Sequence, residues 1–274
     1  ETLANGWAGI NINESGLNQS GTSIRTTMGE QVLAVNFREK VLLVRVAGEK
    51  YRGVLAVAKV PARLSIEMSE GLGSYGQTVG EIAEAHGGLL SMTCNGFLDP
   101  GGQGNGGELA GFAMSDGVAY GAHYTYTDDF PYARFEILTD NTVCIRRSDE
   151  EVRADCRDAT EFNPALIIDG VIFQSSYWTS EAPRACIGQS GRGEMLLLVI
   201  EGRLYTEGIL GTDVNECAKI LQRHNAVQAM NVDGGTSAMM WYDGEYVIRG
   251  SNAATRYTGS RPVPNAFVYH KVEE

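Results

Sequence analysis

The 274-residue chain lacks any run approaching the about 20 consecutive apolar residues of a membrane-spanning helix, so no span is expected. It also lacks positive charge: the net charge is −12 at neutral pH. A surface of that sign repels a phosphate backbone or an anionic bilayer, which argues against nucleic acid or such a membrane as the main partner. Any phosphate in a substrate needs a local basic pocket set against this field. The five cysteines, Cys94, Cys144, Cys156, Cys186 and Cys217, contain no CxxC pair and no zinc spacing. Their number is odd; a Cys144–Cys156 disulfide is conceivable, and most read as small buried apolar side chains. Repeats, low-complexity tracts and long linkers are absent. Five of the eight residues from Pro100 to Gly107 are glycine. That loop is neither a dinucleotide fingerprint, since no helix pattern follows it, nor a phosphate loop, since the Lys-Ser/Thr ending is missing.

Hydrophobic residues make up 43% of the chain and charged residues 20%, enough for a sizeable core and too apolar for disorder. We expect an irregular lead-in over residues 1–28, rich in Gly, Asn, Ser and Thr, and a single domain over 29–274. The chain begins at Glu1 rather than Met, which reads as the removal of a signal peptide or anchor.

Strand signals dominate. Val32 to Phe37, Val41 to Val46 and Tyr51 to Val60 read as successive strands. Later strands arrive in pairs around tight turns: Asp116-Gly117, Asp140-Asn141, Asp169-Gly170, Ser190 to Gly193 and Asp243-Gly244. Asp-Gly between apolar runs is a hairpin signal, because such turns need positive φ. Two helices are expected. Thr78 can cap one that ends near His86, with Glu81 completing a capping box. Asp213 can cap the other, where Val214, Cys217, Ala218 and Leu221 form an apolar stripe. The predicted fold is α+β, a mainly antiparallel β-sheet body with a few packed helices.

The stretch from Ala229 to Met240 stands apart. A buried strand breaks at Gly234-Gly235, and Asn231, Asp233, Thr236 and Ser237 crowd the break. Paired glycines let the backbone turn sharply and let a ligand approach it. A plain turn with local side-chain bonds would look the same. The glycine loop after Leu89–Phe97 offers the same choice between a surface loop and a pocket lined by amides, Asn95, Asp99 and Asn105.

Asn231-Val232-Asp233-Gly234-Gly235-Thr236-Ser237 resembles the Asn-Leu-Asp-Gly-Gly-Gly-Ser signature of the phosphodiester glycosidase family. Other segments are similar to that family in the same order. They are Asn95-Gly96-Phe97, Gly104-Asn105, Arg184-Ala185-Cys186-Ile187-Gly188, the helix carrying Glu216, and Arg261 with the Pro-Asn run after it. Thr236 stands where the third glycine is usual, Cys186 where a small residue is usual, and one glycine rather than two follows Asn95. The family includes hydrolases that release N-acetylglucosamine from a phosphodiester, and bacterial relatives linked to exopolysaccharide.

The resemblance implies hydrolysis of a sugar-1-phosphodiester. Such a reaction builds positive charge on the sugar ring and releases a phosphate, so it needs a carboxylate at the anomeric centre and cations at the phosphate. Asp233 is the expected catalytic carboxylate, as nucleophile or base, and Glu216 the second candidate, although a capping role explains Glu216 equally well. Arg184 is expected to read the phosphate, with Arg261 behind it. Asn95, Asp99, Asn105, Asn231, Gly234, Gly235, Thr236 and Ser237 complete the expected substrate-binding set. No cofactor is called for, though Asp99 and its Gly/Asn loop could hold calcium. The implied partner is a carbohydrate or sugar phosphate, and the implied setting is extracytoplasmic, secreted or anchored through a removed segment. A non-catalytic carbohydrate-binding module and a phosphodiesterase cutting the P–O bond are the competing readings.

Overall fold

A computed structural model describes residues 25–251 and 261–272. Most of the expected lead-in over 1–28 falls outside them. Val32–Asn36 (β1), Val41–Ala47 (β2) and Arg52–Ala58 (β3) pair in succession, each antiparallel to the next. Leu64–Met68 (β4) precedes the helix Val79–Ala85 (α1), where the Thr78–Glu81 capping box forms. Gly88–Thr93 (β5) follows it. Phe112–Ser115 (β6) and Val118–Gly121 (β7) make one hairpin, Ala133–Leu138 (β8) and Val143–Arg147 (β9) the next. Cys156–Phe162 (β10) leads to the hairpin of Ala165–Ile168 (β11) and Val171–Ile172 (β12). Arg184–Ser190 (β13) and Met195–Ile200 (β14) form another, before the helix Val214–Arg223 (α2). Ala226–Val232 (β15), Met240–Tyr242 (β16), Glu245–Ile248 (β17) and Asn265–His270 (β18) complete the order. The Asp-Gly turns adopt the positive φ that their sequences demand, 46° at Asp116 and 75° at Gly117, 50° at Asp169 and 80° at Gly170.

The strands assemble into three antiparallel sheets. The largest runs β1-β2-β3-β14-β13-β15-β11-β12, the second β7-β6-β10-β8-β9 and the third β17-β16-β5-β18-β4. With two α-helices among the described residues, the body is mostly β, and the helical share is smaller than an α+β label suggests.

Alternation explains how the layers stack. On β14, Met195, Leu197 and Val199 face a central core shared with both smaller sheets. Leu196, Leu198 and Ile200 face the opposite way, onto Val214, Cys217, Ala218 and Leu221 of α2. A strand covered on both faces reads as a continuous apolar run, as β14 does. On β18, Phe267 and Tyr269 enter the central core while Ala266 and Val268 meet α1. Each fully buried Leu or Ile in these layers contributes roughly 1.5–3 kcal/mol relative to exposure.

All five cysteines are free thiols. Cys144 and Cys156 lie on β9 and β10, on opposite sides of β8 and opposite Glu136 and Leu138 respectively, more than about 9 Å apart by strand spacing alone. That exceeds disulfide reach, so the conceivable Cys144–Cys156 bridge does not form.

Among the contacts that join the two smaller sheets is a fully buried side chain, Asn95. Its amide nitrogen donates to the Phe112 carbonyl at 3.0 Å and the Glu161 carbonyl at 3.5 Å. Its oxygen accepts from Thr160 Oγ1 at 2.7 Å and from Asn265 Nδ2 at 2.9 Å. Its backbone N–H donates to Asn265 Oδ1 at 3.0 Å. Removing such a knot strands several buried polar groups, each at about 1–3 kcal/mol. Asn95→Ala should therefore lower the unfolding free energy by about 3 kcal/mol, read by urea denaturation; a loss under about 0.5 kcal/mol would show that the knot is dispensable.

Candidate active site

The break after β15 sits where the three sheets converge. The Asp233 N–H donates to the Cys94 carbonyl just past β5 at 3.1 Å, and the Gly235 N–H donates to the Pro183 carbonyl just before β13 at 2.9 Å. Gly235 has φ of 59°, a conformation that few side chains tolerate. A Cβ at Gly234 would lie 3.1 Å from the Pro183 carbonyl oxygen. The two glycines thus let the chain double back against β13 while Asp233 projects from the end of a rigid strand.

Asp233 lies half-buried in a cleft of about 950 Å3, with Asp99, Arg184, Arg203, Arg261, Asn231 and Thr236 around it. Burial is the largest influence on its carboxyl and raises its pKa to about 7, against the Ser237 hydroxyl, the charge of Arg261 and the Gly234 amide, which favour the anion. Asp99 goes the other way. Burial alone would raise it, but Arg261 and the Gly104 amide outweigh that and hold it below the usual carboxylate range. Arg261 Nη2 lies 2.5 Å from Asp99 Oδ2, and its guanidinium stacks 4.6 Å from the Phe97 ring centre. One guanidinium therefore pairs with Asp99 and acts electrostatically on Asp233. Two carboxyls in one cleft with pKa values pushed apart are the usual mark of divided roles.

Over residues 90–270 the chain matches the family model for phosphodiester glycosidase. The chain belongs to the phosphodiester glycosidase family. These are hydrolases of sugar phosphodiesters. No curated protein sequence matches the chain significantly. Among solved structures, it is similar to the zebrafish N-acetylglucosamine-1-phosphodiester alpha-N-acetylglucosaminidase catalytic domain auto-inhibited by its pro-peptide. The TM-score is 0.67 at 16% identity, covering 85% of this chain and 82% of that one. A Burkholderia pseudomallei protein assigned as exported gives 0.58 at 14% identity, covering 80% and 74%. A hypothetical protein from Synechocystis gives 0.55 at 15%, covering 86% and 63%. At these identities the likeness speaks to fold.

Within this phosphodiester glycosidase fold, several expected site residues serve elsewhere. Asn95 points into the knot between sheets; its neighbours Gly96 and Phe97 line the cleft instead. Asn105 turns away, donating to the Ser74 carbonyl at 2.8 Å and accepting from the Gly107 N–H at 3.0 Å. Glu216 stands on α2, accepting from Tyr51 Oη at 3.1 Å and pairing with Lys219 at 3.3 Å, outside the cleft. Its backbone N–H bonds to the Asp213 cap at 2.7 Å, but its carboxylate does not return a bond to the cap, so the expected capping box does not form at α2. Arg184 does line the cleft. Its Nε donates to the Thr212 carbonyl at 3.1 Å, and its Nη2 to the Trp178 and Ser180 carbonyls at 2.9 and 2.7 Å. Those bonds brace the loop before β13 and leave little of the guanidinium for phosphate. Asn231 lines the cleft but donates to the Asn163 carbonyl at 2.7 Å. Asp99 meets Arg261 and accepts from the Gly104 N–H at 2.6 Å. Among the described residues no group of three His, Cys, Asp or Glu converges.

Two features of the cleft escaped the sequence reading. Arg203 is one. Its guanidinium lies beside Gly235, and its Nη1 donates to Thr236 Oγ1 at 3.4 Å. The other is an aromatic wall. Tyr124 and Tyr132 stack at 3.9 Å between centroids, and Phe162 and Trp178 at 6.4 Å. The aromatic density between Tyr120 and Tyr132 was the available signal. A buried ionic cluster stands behind the wall. Glu161 Oε1 lies 3.2 Å from Arg134 Nη1 and 2.6 Å from His123 Nδ1, and its Oε2 accepts from the Tyr124 N–H at 2.9 Å. Arg134 also pairs with Glu136 at 2.7 Å.

A folded-state pKa of about 7 for Asp233 means that the native chain keeps a proton that the unfolded chain loses near pH 4. The resulting stabilisation is whole below about pH 4 and is lost as pH rises through about 7. Asp233→Asn stays neutral. It should match the natural protein at about pH 4 and exceed it by roughly 2–4 kcal/mol near pH 8, measured by urea denaturation at each pH. An offset of the same size at both ends would contradict the raised pKa.

Proposed function

We propose that this chain hydrolyses a sugar-1-phosphodiester of the N-acetylglucosamine type and releases the free sugar. The observation that carries the reading is a half-buried carboxyl, Asp233, with a pKa raised to about 7, in one cleft with Arg184, Arg203 and an Asp99–Arg261 pair. Arg203 and Arg261 take the phosphate oxygens, which planar guanidiniums bind in pairs. The aromatic wall takes the flatter, apolar face of the sugar ring. Asp233, as its anion, sits at the anomeric centre and offsets the positive charge that develops on the ring. It acts either as base on a water molecule or as a nucleophile whose adduct water then opens. By either route water oxygen bonds to the anomeric carbon, the carbon–oxygen bond to phosphate breaks, and the electron pair leaves with the phosphate. A phosphate ester leaves readily without a proton, so one carboxylate can suffice while Asp99 keeps Arg261 in position.

The same reading assigns the chain to an extracytoplasmic setting, supported by the export assignment of the Burkholderia pseudomallei neighbour. No helix of the described residues is long and apolar enough to cross a membrane.

Hydrolysis of a methyl phosphodiester of N-acetylglucosamine in 18O-labelled water tests the bond cleaved. Label should enter the sugar. Label in the phosphate means P–O cleavage and overturns the reading, as does saccharide binding with no turnover. Arg203→Gln should lower kcat/KM about 100-fold with the fold intact. A fall of less than about threefold removes Arg203 from the phosphate site.

A further inference from the structure

A second cavity, of about 450 Å3, opens beyond Tyr132, the one residue that lines both it and the catalytic cleft. Its other aromatic side chains include Tyr126, Phe173 and Tyr177. Phe173 is 46% exposed, and Phe130, 56% exposed, packs 6.0 Å from Tyr177 at its edge. Bulky side chains left this open around one opening mark a binding surface more often than chance exposure does. Between the aromatics stand Gln174, Ser176, Arg146 and Glu150, which can donate and accept hydrogen bonds.

The occupant follows from this mixture. A hydrocarbon chain would cover the polar groups without satisfying them. An anion would need unpaired cations, yet Arg146 lies 3.2 Å from Glu150 and Arg147 lies 2.5 Å from Asp149. A sugar ring has a flat C–H face for an aromatic ring and hydroxyls for the polar neighbours, so it uses both. The residue shared between the cavities is an aromatic, and none of the cleft arginines lines the second cavity. The second cavity thus continues the sugar side of the cleft and not its phosphate side.

We propose that this cavity is an extension subsite for the saccharide units preceding the reacting sugar, so that the preferred substrate is an oligosaccharyl phosphodiester. The assignment of sides rests on the reading of the cleft given under Proposed function. Tyr132 forms the step between the two subsites; Tyr177 and the face of Tyr126 opposite the Arg147 guanidinium, which lies 4.0 Å over its ring, are the platforms beyond it.

The test uses methyl phosphodiesters of N-acetylglucosamine and of its β-1,4-linked disaccharide and trisaccharide. The value of kcat/KM should rise about tenfold from the monosaccharide to the longer probes, mainly through KM. Tyr126→Ala and Tyr177→Ala, both outside the catalytic cleft, should abolish the rise and leave monosaccharide turnover unchanged. Equal values for all three probes, or variants that lower all three alike, would overturn the subsite while leaving the hydrolase reading intact. If no probe is cut, the hydrolase reading fails, and NMR titration with the free trisaccharide decides the subsite. Shifts at the second cavity that disappear in Tyr177→Ala support it; their absence overturns it.

Discussion

Desolvation of one carboxyl governs the arrangement of this cleft. Asp233 stands where three sheets converge, its main chain pinned to the segment after β5 and its neighbours to the segment before β13. Burial there disfavours the anion. A buried carboxylate that must ionise to act needs compensation close by, and the compensation is specific: the Ser237 hydroxyl, the Arg261 charge and the Gly234 amide. Asp99 fixes Arg261 with a contact of 2.5 Å and adds a negative charge that raises Asp233 further. The carboxyl is thereby left near neutrality, where it can change protonation state within the working range of an enzyme.

The opposite side of the cleft rests on a second buried ionic arrangement. Arg134, Glu136 and Glu161 are fully buried, a costly composition whose charges must be satisfied locally. They are: Arg134 donates to Glu136, to Glu161 and to the Ser148 and Glu150 carbonyls, while Glu161 receives the Phe112 and Tyr124 amides. These bonds hold a segment between β7 and β8 that has no regular secondary structure of its own. The Tyr124–Tyr132 side of the wall is thus backed by charges, whereas Phe162 packs on the central apolar core.

Much of this was legible in the sequence. The hairpins were readable because Asp-Gly turns carry a backbone requirement, and α1 and α2 because their caps and apolar stripes agree. Asp233, Gly234, Gly235, Thr236, Ser237 and Arg261 were found from one motif and its company, and all of them surround the cleft or bond to its carboxyl. β10 was missed because its buried Asp158, Thr160 and Glu161 break the apolar pattern that marks a strand; their partners come from other strands. β4 alternates, with Leu64 and Ile66 buried, but no hairpin turn marks it, since it pairs with β18 from the far end of the chain. Asn95 and Arg184 were recognised as special, and the structure gives Asn95 to a sheet junction and much of Arg184 to backbone carbonyls at the edge of the cleft. A side chain rich in donors serves a sheet junction as well as a ligand, and sequence does not say which carbonyls lie near. Arg203 has no motif around it, and only the folding of the segment after β14 toward Gly235 brings it to the site.

The central claim is that Asp233 addresses the anomeric carbon while Arg203 and Arg261 hold the phosphate. A crystal structure of Asp233→Asn soaked with an uncleaved N-acetylglucosamine-1-phosphodiester tests it most directly. The claim predicts the residue-233 side chain facing the anomeric carbon, the phosphate between Arg203 and Arg261, and the ring against Tyr124 or Trp178. A phosphate bound away from both arginines, or an anomeric carbon turned from residue 233, would contradict it.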